Sequence, residues 1–171
     1  EIGKSGQEKL KSSKILIIGL GGLGSPASLY LAAAGIGTLG LIDFDKIEKH
    51  NLHRQILYSS KNIGKQKTNI AKKHLEELNP NLKINIYQEQ LTSENALKII
   101  KDYDVILDCT DNIPTRYLIN DACIILTKPY IYGSIFKFDG QVTIFNHNSP
   151  CYRCLFPELP APGSIPTCNE A

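Results

Sequence analysis

Gly19-Leu20-Gly21-Gly22-Leu23-Gly24 fits the pattern G-x-G-x-x-G. A turn stripped of β-carbons lets backbone N–H groups approach a phosphate, and the first turn of a following helix favours the anion by about 0.3–1 kcal/mol. Asp43, a little under 20 residues past the last glycine, stands where a carboxylate accepts hydrogen bonds from ribose hydroxyls, which implies an adenosine. To this point a nicotinamide-dependent dehydrogenase fits equally well. The segments Lys49-His50-Asn51-Leu52-His53-Arg54-Gln55 and Gly64-Lys65-Gln66-Lys67 separate the two readings, because a dinucleotide has no evident use for these cations. A triphosphate does: charge that builds on its oxygens during attack at the α-phosphorus is stabilised by Lys and Arg, and the guanidinium is suited to bidentate contact. Asp108-Cys109-Thr110-Asp111-Asn112 then offers a carboxylate, Asp111, to hold a Mg²⁺ that bridges phosphates, and an amide, Asn112, to hydrogen-bond the nucleotide. Each residue also has an ordinary reading: a tight turn, a solvated lysine at Lys67, a surface arginine at Arg54, a helix cap at Asp111.

Such residues act together only if strands and helices bring them to one edge. Lys14 to Ile18 is a continuous apolar, β-branched run, as expected of a strand buried on both faces of a parallel sheet. Ser25 to Ala34 reads as a helix with Pro26 in its first turn and Gly35 as C-cap, and Thr38 to Asp43 as the next strand. The alternation continues with a helix over Gly64 to Leu78, a strand over Lys83 to Gln88, a helix over Ser93 to Lys101, a strand at Val105-Ile106-Leu107 and a helix over Pro114 to Leu126. Tyr130 to Phe145 reads as two strands joined at Asp139-Gly140, a common hairpin turn. The pattern predicts an α/β, Rossmann-like, doubly wound and mostly parallel sheet with an appended β-hairpin. From Pro150 the prolines crowd together, and an irregular Cys/Pro-rich loop crossing the surface is expected.

A chain of 171 residues with 42% hydrophobic and 21% charged residues is long enough for one domain with its own core. A net charge of +2 without a long basic run gives no electrostatic footprint for nucleic acid, and no apolar stretch approaches a membrane span or a signal core. A soluble intracellular protein is expected. Five cysteines, of which only Cys151 and Cys154 share a suggestive spacing, argue against a disulfide framework and leave metal binding, a free thiol or a redox pair open.

The glycine loop, Asp43-Phe44-Asp45, Asn51-Leu52-His53-Arg54-Gln55, Gly64-Lys65-Gln66-Lys67, Asp108-Cys109-Thr110-Asp111-Asn112 and Cys151-Tyr152-Arg153-Cys154 occur in this order. Together they resemble the MoeB/ThiF family of bacterial-type relatives of the ubiquitin-activating enzymes. The resemblance implies ATP-dependent adenylation of the C-terminal glycine of a ubiquitin-like sulfur-carrier protein, with release of pyrophosphate, in a homodimer with a structural zinc. It implies that Gly19, Gly21, Gly22, Gly24, Asp43, Asn51, Arg54, Lys67, Asp111 and Asn112 bind ATP or its Mg²⁺, with Arg54 acting in trans in the neighbouring subunit's site. Cys151 and Cys154 would supply half of a Zn²⁺ site, the second Cys-x-x-Cys being expected beyond Ala171. Thr167-Cys168-Asn169-Glu170-Ala171 matches the family's segment near the active site, and Cys168 is a candidate functional thiol.

Two departures accompany the resemblance. The Arg-Tyr-x-Arg-Gln-type segment that usually opens such chains has no counterpart before Gly6-Gln7-Glu8, and residues 1–171 are expected to be one adenylation domain lacking its C-terminal closing elements. Arginine occurs only at Arg54, Arg116 and Arg153, which hints at an AT-rich coding genome and a bacterial cytoplasm or a plastid stroma. The rival readings are a nicotinamide- or flavin-dependent oxidoreductase, which leaves Arg54, Lys67 and Asp111 unexplained, and a non-catalytic module that docks a ubiquitin-like partner.

Overall fold

The apolar run Lys14–Ile18 is strand β1, buried from Ile15 to Ile18. The computed structural model describes residues 2–159, and around β1 it places β2 (Thr38–Ile42), β3 (Lys83–Tyr87), β4 (Val105–Asp108), β5 (Tyr130–Phe136) and β6 (Asp139–Phe145). The sheet order is β3-β2-β1-β4-β5-β6, parallel except for the antiparallel β5–β6 pair, which is the doubly wound order with a hairpin at one edge. The helices are α1 (Gly3–Ser12), α2 (Gly24–Ala34), α3 (Lys67–Leu78), α4 (Ala96–Ile100), α5 (Ile113–Ile125) and α6 (Tyr152–Leu155).

Because side chains alternate along a strand, β1 feeds two cores. Leu16 and Ile18 join Ile100, Tyr103, Ile106 and Ile119 on the α4/α5 side, while Ile15 and Ile17 join Leu39, Leu41, Ile70 and Leu75 on the α2/α3 side. With both faces covered, ligands are left only the strand ends, and the order reverses between β2 and β4 on either side of β1.

Four expectations are corrected. The third helix starts at Lys67, because Gly64 takes φ +84° and Gln66 is extended and bridged to Lys46. The fourth is shortened to Ala96–Ile100, the Asn95 side chain being turned back to accept from Thr92 N. The hairpin turns at Lys137-Phe138, with Asp139 already paired to Phe136. A turn at Asp139-Gly140 would put Ser149 opposite Tyr130. The observed register puts Phe145 there instead, with the two rings stacked 4.9 Å apart, so aromatic burial overrides the Asp-Gly preference. Finally, α1 occupies a stretch for which no element was expected.

Candidate active site

The loop after β1 contains glycines of two kinds. Gly19 has φ +90°, and a β-carbon there would stand 2.8 Å from Cys109 O, where the ends of β1 and β4 converge. A β-carbon at Gly24 would meet Gly19 O at 1.9 Å. The fold itself demands these two. Gly21 and Gly22 are different, since added β-carbons would approach nothing closer than Gln55 Nε2 at 3.8 Å and Arg54 Cδ at 3.5 Å. Both line a cavity of about 240 Å³ at the C-terminal ends of β1, β2 and β4, leaving their backbone open to a ligand.

Asp43 closes that loop from the end of β2. Its Oδ2 accepts from Leu20 N (2.7 Å) and its Oδ1 from Asp45 N (2.8 Å), and each oxygen keeps lone-pair capacity toward the cavity. Burial raises its carboxyl above the ordinary value, and the Lys67 charge and the two N–H donors oppose this. Lys67, the first residue of α3, is buried with Nζ 2.8 Å from Asp45 Oδ2, while its backbone N–H donates to Asp45 O. Asp45 is half exposed on the cavity wall, so the cation is presented beside solvent and not sealed inside an ion pair.

Asn51 is buried, its Oδ1 accepting from Glu48 N, and it lines the cavity. Arg54 lies in the chain's own cavity over Gly22, its Nη1 donating to His50 O at 3.3 Å. Gln55, buried at the same wall, has an Oε1 with no hydrogen-bond partner among the described residues. From the other side, Asn112 caps α5 by accepting from Thr115 N (3.0 Å). The cap is therefore Asn112 and not Asp111. Asp111 is exposed, lines the cavity, and has no hydrogen-bond or ion-pair partner for its carboxylate among the described residues.

The structure thus brings together Gly19, Gly21, Gly22, Asp43, Asn51, Arg54, Lys67, Asp111 and Asn112 on one cavity, with Gly24 packed just behind it. Sequence reasoning missed Gln55 and the pairing of Asp45 with Lys67. Their signal was weak, because nothing in a sequence says which acid a lysine pairs with across 22 residues.

Cys151 and Cys154 stand apart from the cavity. Their Sγ atoms are 3.8 Å apart, and their turn is docked on α5 by Tyr152 N to Asn120 Oδ1 (2.9 Å) and by Arg153 gripping Asp121 with two bonds. Two thiolates at about 2.3 Å from one tetrahedral Zn²⁺ lie about 3.8 Å apart, so the pair fits two corners of such a site. No third His, Cys, Asp or Glu ligand joins them among the described residues. Burial opposes thiolate formation at Cys151, but hydrogen bonds from the N–H groups of Cys154 and Arg153 and from the side chains of Cys154 and Asn120 together hold its pKa below the ordinary thiol value. Cys168 lies outside the described residues. No helix among the described residues is long and apolar enough to cross a membrane.

The family model described as "ThiF family" matches residues 1–171. The chain is 48% identical over 177 residues to a sulfur carrier protein adenylyltransferase of Thermus thermophilus, covering 100% of this chain and 65% of that protein. It is 53% identical over 171 residues to the adenylyltransferase and sulfurtransferase MOCS3 of Drosophila yakuba, covering 99% of this chain and 38% of that protein. Among solved structures, E. coli MccB with ATP superposes with a TM-score of 0.81 at 30% identity, covering 88% of this chain and 46% of that one. The chain therefore spans less than two thirds of the curated relatives it matches.

Proposed function

Because the chain belongs to the ThiF family, we propose that it is the adenylating part of an enzyme that activates the C-terminal glycine carboxylate of a ubiquitin-like sulfur-carrier protein with ATP and releases pyrophosphate. The observation that carries the reading is the cavity at the strand ends. There the glycine pair Gly21 and Gly22, a ribose-type carboxylate (Asp43), two cations (Arg54, Lys67) and a carboxylate without a partner among the described residues (Asp111) face one space.

In this reading the backbone at Gly21 and Gly22 lies against the phosphates, and Asp43 accepts from ribose hydroxyls with the lone pairs its N–H donors leave free. Asn51 and Asn112 each commit a carbonyl oxygen to the fold, which turns their amide N–H groups to ligand duty. A carboxylate oxygen of the carrier attacks the α-phosphorus, the bond to the bridging oxygen breaks, and pyrophosphate leaves with the electron pair. The attacking carboxylate is already ionised, so no general base is needed, and Lys67 and Arg54 act by neutralising charge on the phosphate oxygens. Asp111 is the residue that would hold Mg²⁺, which supplies electrostatic stabilisation to the phosphates.

Further parts of the proposal are a structural zinc on Cys151 and Cys154 completed by ligands elsewhere in the whole protein, a homodimer in which Arg54 serves the neighbouring subunit, and a cytoplasmic or plastid stromal location. The cavity geometry of the single chain favours a second address for Arg54, its own site. Cys168 is proposed as a thiol available to the activated carrier.

The test is carrier-dependent exchange of labelled pyrophosphate into ATP by the full-length protein. Exchange that appears only with a sulfur carrier supports the reading. Absence of exchange with every sulfur carrier tried, or reduction of a nicotinamide cofactor instead, refutes it.

A further inference from the structure

Arg116 is a cation that the proposed chemistry leaves unused. It stands in the first turn of α5, behind the 108–112 loop, and does not line the nucleotide cavity. Its Nη2 donates to Thr110 O at 2.9 Å. Its Nη1 donates to Tyr132 Oη at 3.2 Å, with the guanidinium 5.2 Å from the centre of that ring. The Tyr132 hydroxyl donates onward to Ser134 Oγ at 2.8 Å, so the arginine is braced against β5.

Asp108 grips the same threonine from its other side, Oδ1 accepting from Thr110 N (3.0 Å) and from Thr110 Oγ1 (2.7 Å). Thr110 is thus held at its N–H, its hydroxyl and its carbonyl. The next residue is Asp111, and the one after it, Asn112, is fixed as a helix cap. A peptide unit is planar, so holding Thr110 O fixes the plane that contains Asp111 N and Cα. Asp108 Oδ2 and Arg116 Nε, both buried, have no hydrogen-bond partner among the described residues, so the two charged groups meet through Thr110 and not through a direct bond.

We infer that Arg116 is a positioning residue for Asp111: it holds the Thr110–Asp111 peptide plane from behind, so that the carboxylate enters the cavity already oriented. This rests on the reading of Asp111 as the carboxylate that serves the triphosphate. A group displaced by about 1 Å can lose on the order of 10² in rate, which is the scale of effect such a brace controls.

The test uses the full-length protein with its carrier. Hydrogen–deuterium exchange of the nucleotide-free Arg116→Ala protein should show the Thr110 amide exchanging about tenfold faster or more, with protection in β1 and β4 unchanged. In pyrophosphate exchange kcat should fall roughly 10- to 100-fold, with KM for ATP within about twofold. Arg116→Lys keeps the charge but can reach only one of the two acceptors, so it should fall between wild type and Arg116→Ala in both readouts. It also carries the test if Arg116→Ala does not fold. Unchanged amide exchange in the loop, or a loosened loop with wild-type kcat, overturns the inference. Asp111→Ala assayed in parallel reports separately on the site reading, since near-wild-type activity there refutes the role of Asp111 whatever Arg116 does.

Discussion

Asp43 and Asp111 follow parallel strands on either side of β1 and border the same cavity, yet their situations are opposite. Asp43 is buried, its two oxygens bonded to Leu20 N and Asp45 N. Asp111 is exposed and has no protein partner among the described residues. One carboxylate therefore holds the glycine loop to β2 and can serve a ligand only with the lone pairs left over. The other makes no bond to the described residues, while its neighbours Thr110 and Asn112 are both held. A polar residue held ready at no structural gain is the sharper pointer to chemistry.

Substitution at Asp111 should give the largest effect. Asp111→Ala is expected to lower pyrophosphate exchange on the order of 10²–10³ in kcat while leaving the melting temperature unchanged. A drop in melting temperature of several degrees would show that the residue is structural after all.

Mixing subunits comes next, because it asks whether Arg54 serves the cavity of its own chain or that of a neighbouring subunit. Heterodimers of Arg54→Ala and Asp111→Ala contain one intact composite site if Arg54 acts in trans, and should recover up to about half of wild-type activity. No recovery in verified heterodimers would assign Arg54 to its own subunit.

Asp43→Ala should behave as a hybrid. Loss of hydrogen bonds from a charged group, worth about 1.5–3 kcal/mol, raises KM for ATP roughly 10- to 100-fold, and loss of the Leu20 staple lowers the melting temperature as well. A changed KM with unaltered stability would make the comparison with Asp111 fail.

The smallest effect concerns Asp108. Burial pushes its carboxyl up to about 6, against the hydrogen bonds from Thr110 and the charge of Arg116; the thiols of Cys109 and Cys123 and the phenol of Tyr130 are raised first by their own burial and then by the charge of this carboxylate. Since folding favours the protonated acid, its stabilising contribution is complete below the ordinary value of 3.8 and is lost as pH rises through about 6. Asp108→Asn cannot ionise and still offers an oxygen to Thr110. It should melt a few degrees above wild type at pH 8, with the difference closing as pH is lowered toward 4. An equal difference at both pH values would point to packing as its cause.

Where a single physical constraint dominates, the sequence was readable. The buried run at Lys14–Ile18, the glycine loop and the C-cap at Gly35 lie where their residue types require. So do Asp43 and Asp111, because a parallel sheet with both faces covered offers ligands only its strand ends. The misreadings fall where distant partners decide. Helix α1 carries Leu10 as its one large apolar residue within Gly3–Ser12 and no amphipathic stripe. It is held by Gly37 N to Leu10 O, by Thr38 N to Ser13 O just past its end, and by Gln7 Nε2 to Ala34 O. The hairpin turned where Tyr130 and Phe145 could stack, and Arg116 showed its purpose only once Thr110 and Tyr132 were seen to meet it.

The two kinds of glycine in the first loop also make that loop separable. Neither Gly21 nor Gly22 has a left-handed backbone angle, and a methyl group at either takes space from the cavity and none from the core. Gly22→Ala is thus a route to a chain with native surfaces and an obstructed nucleotide space. Such a protein could capture a partner and hold it without turnover, isolating the encounter complex from the reaction that normally ends it.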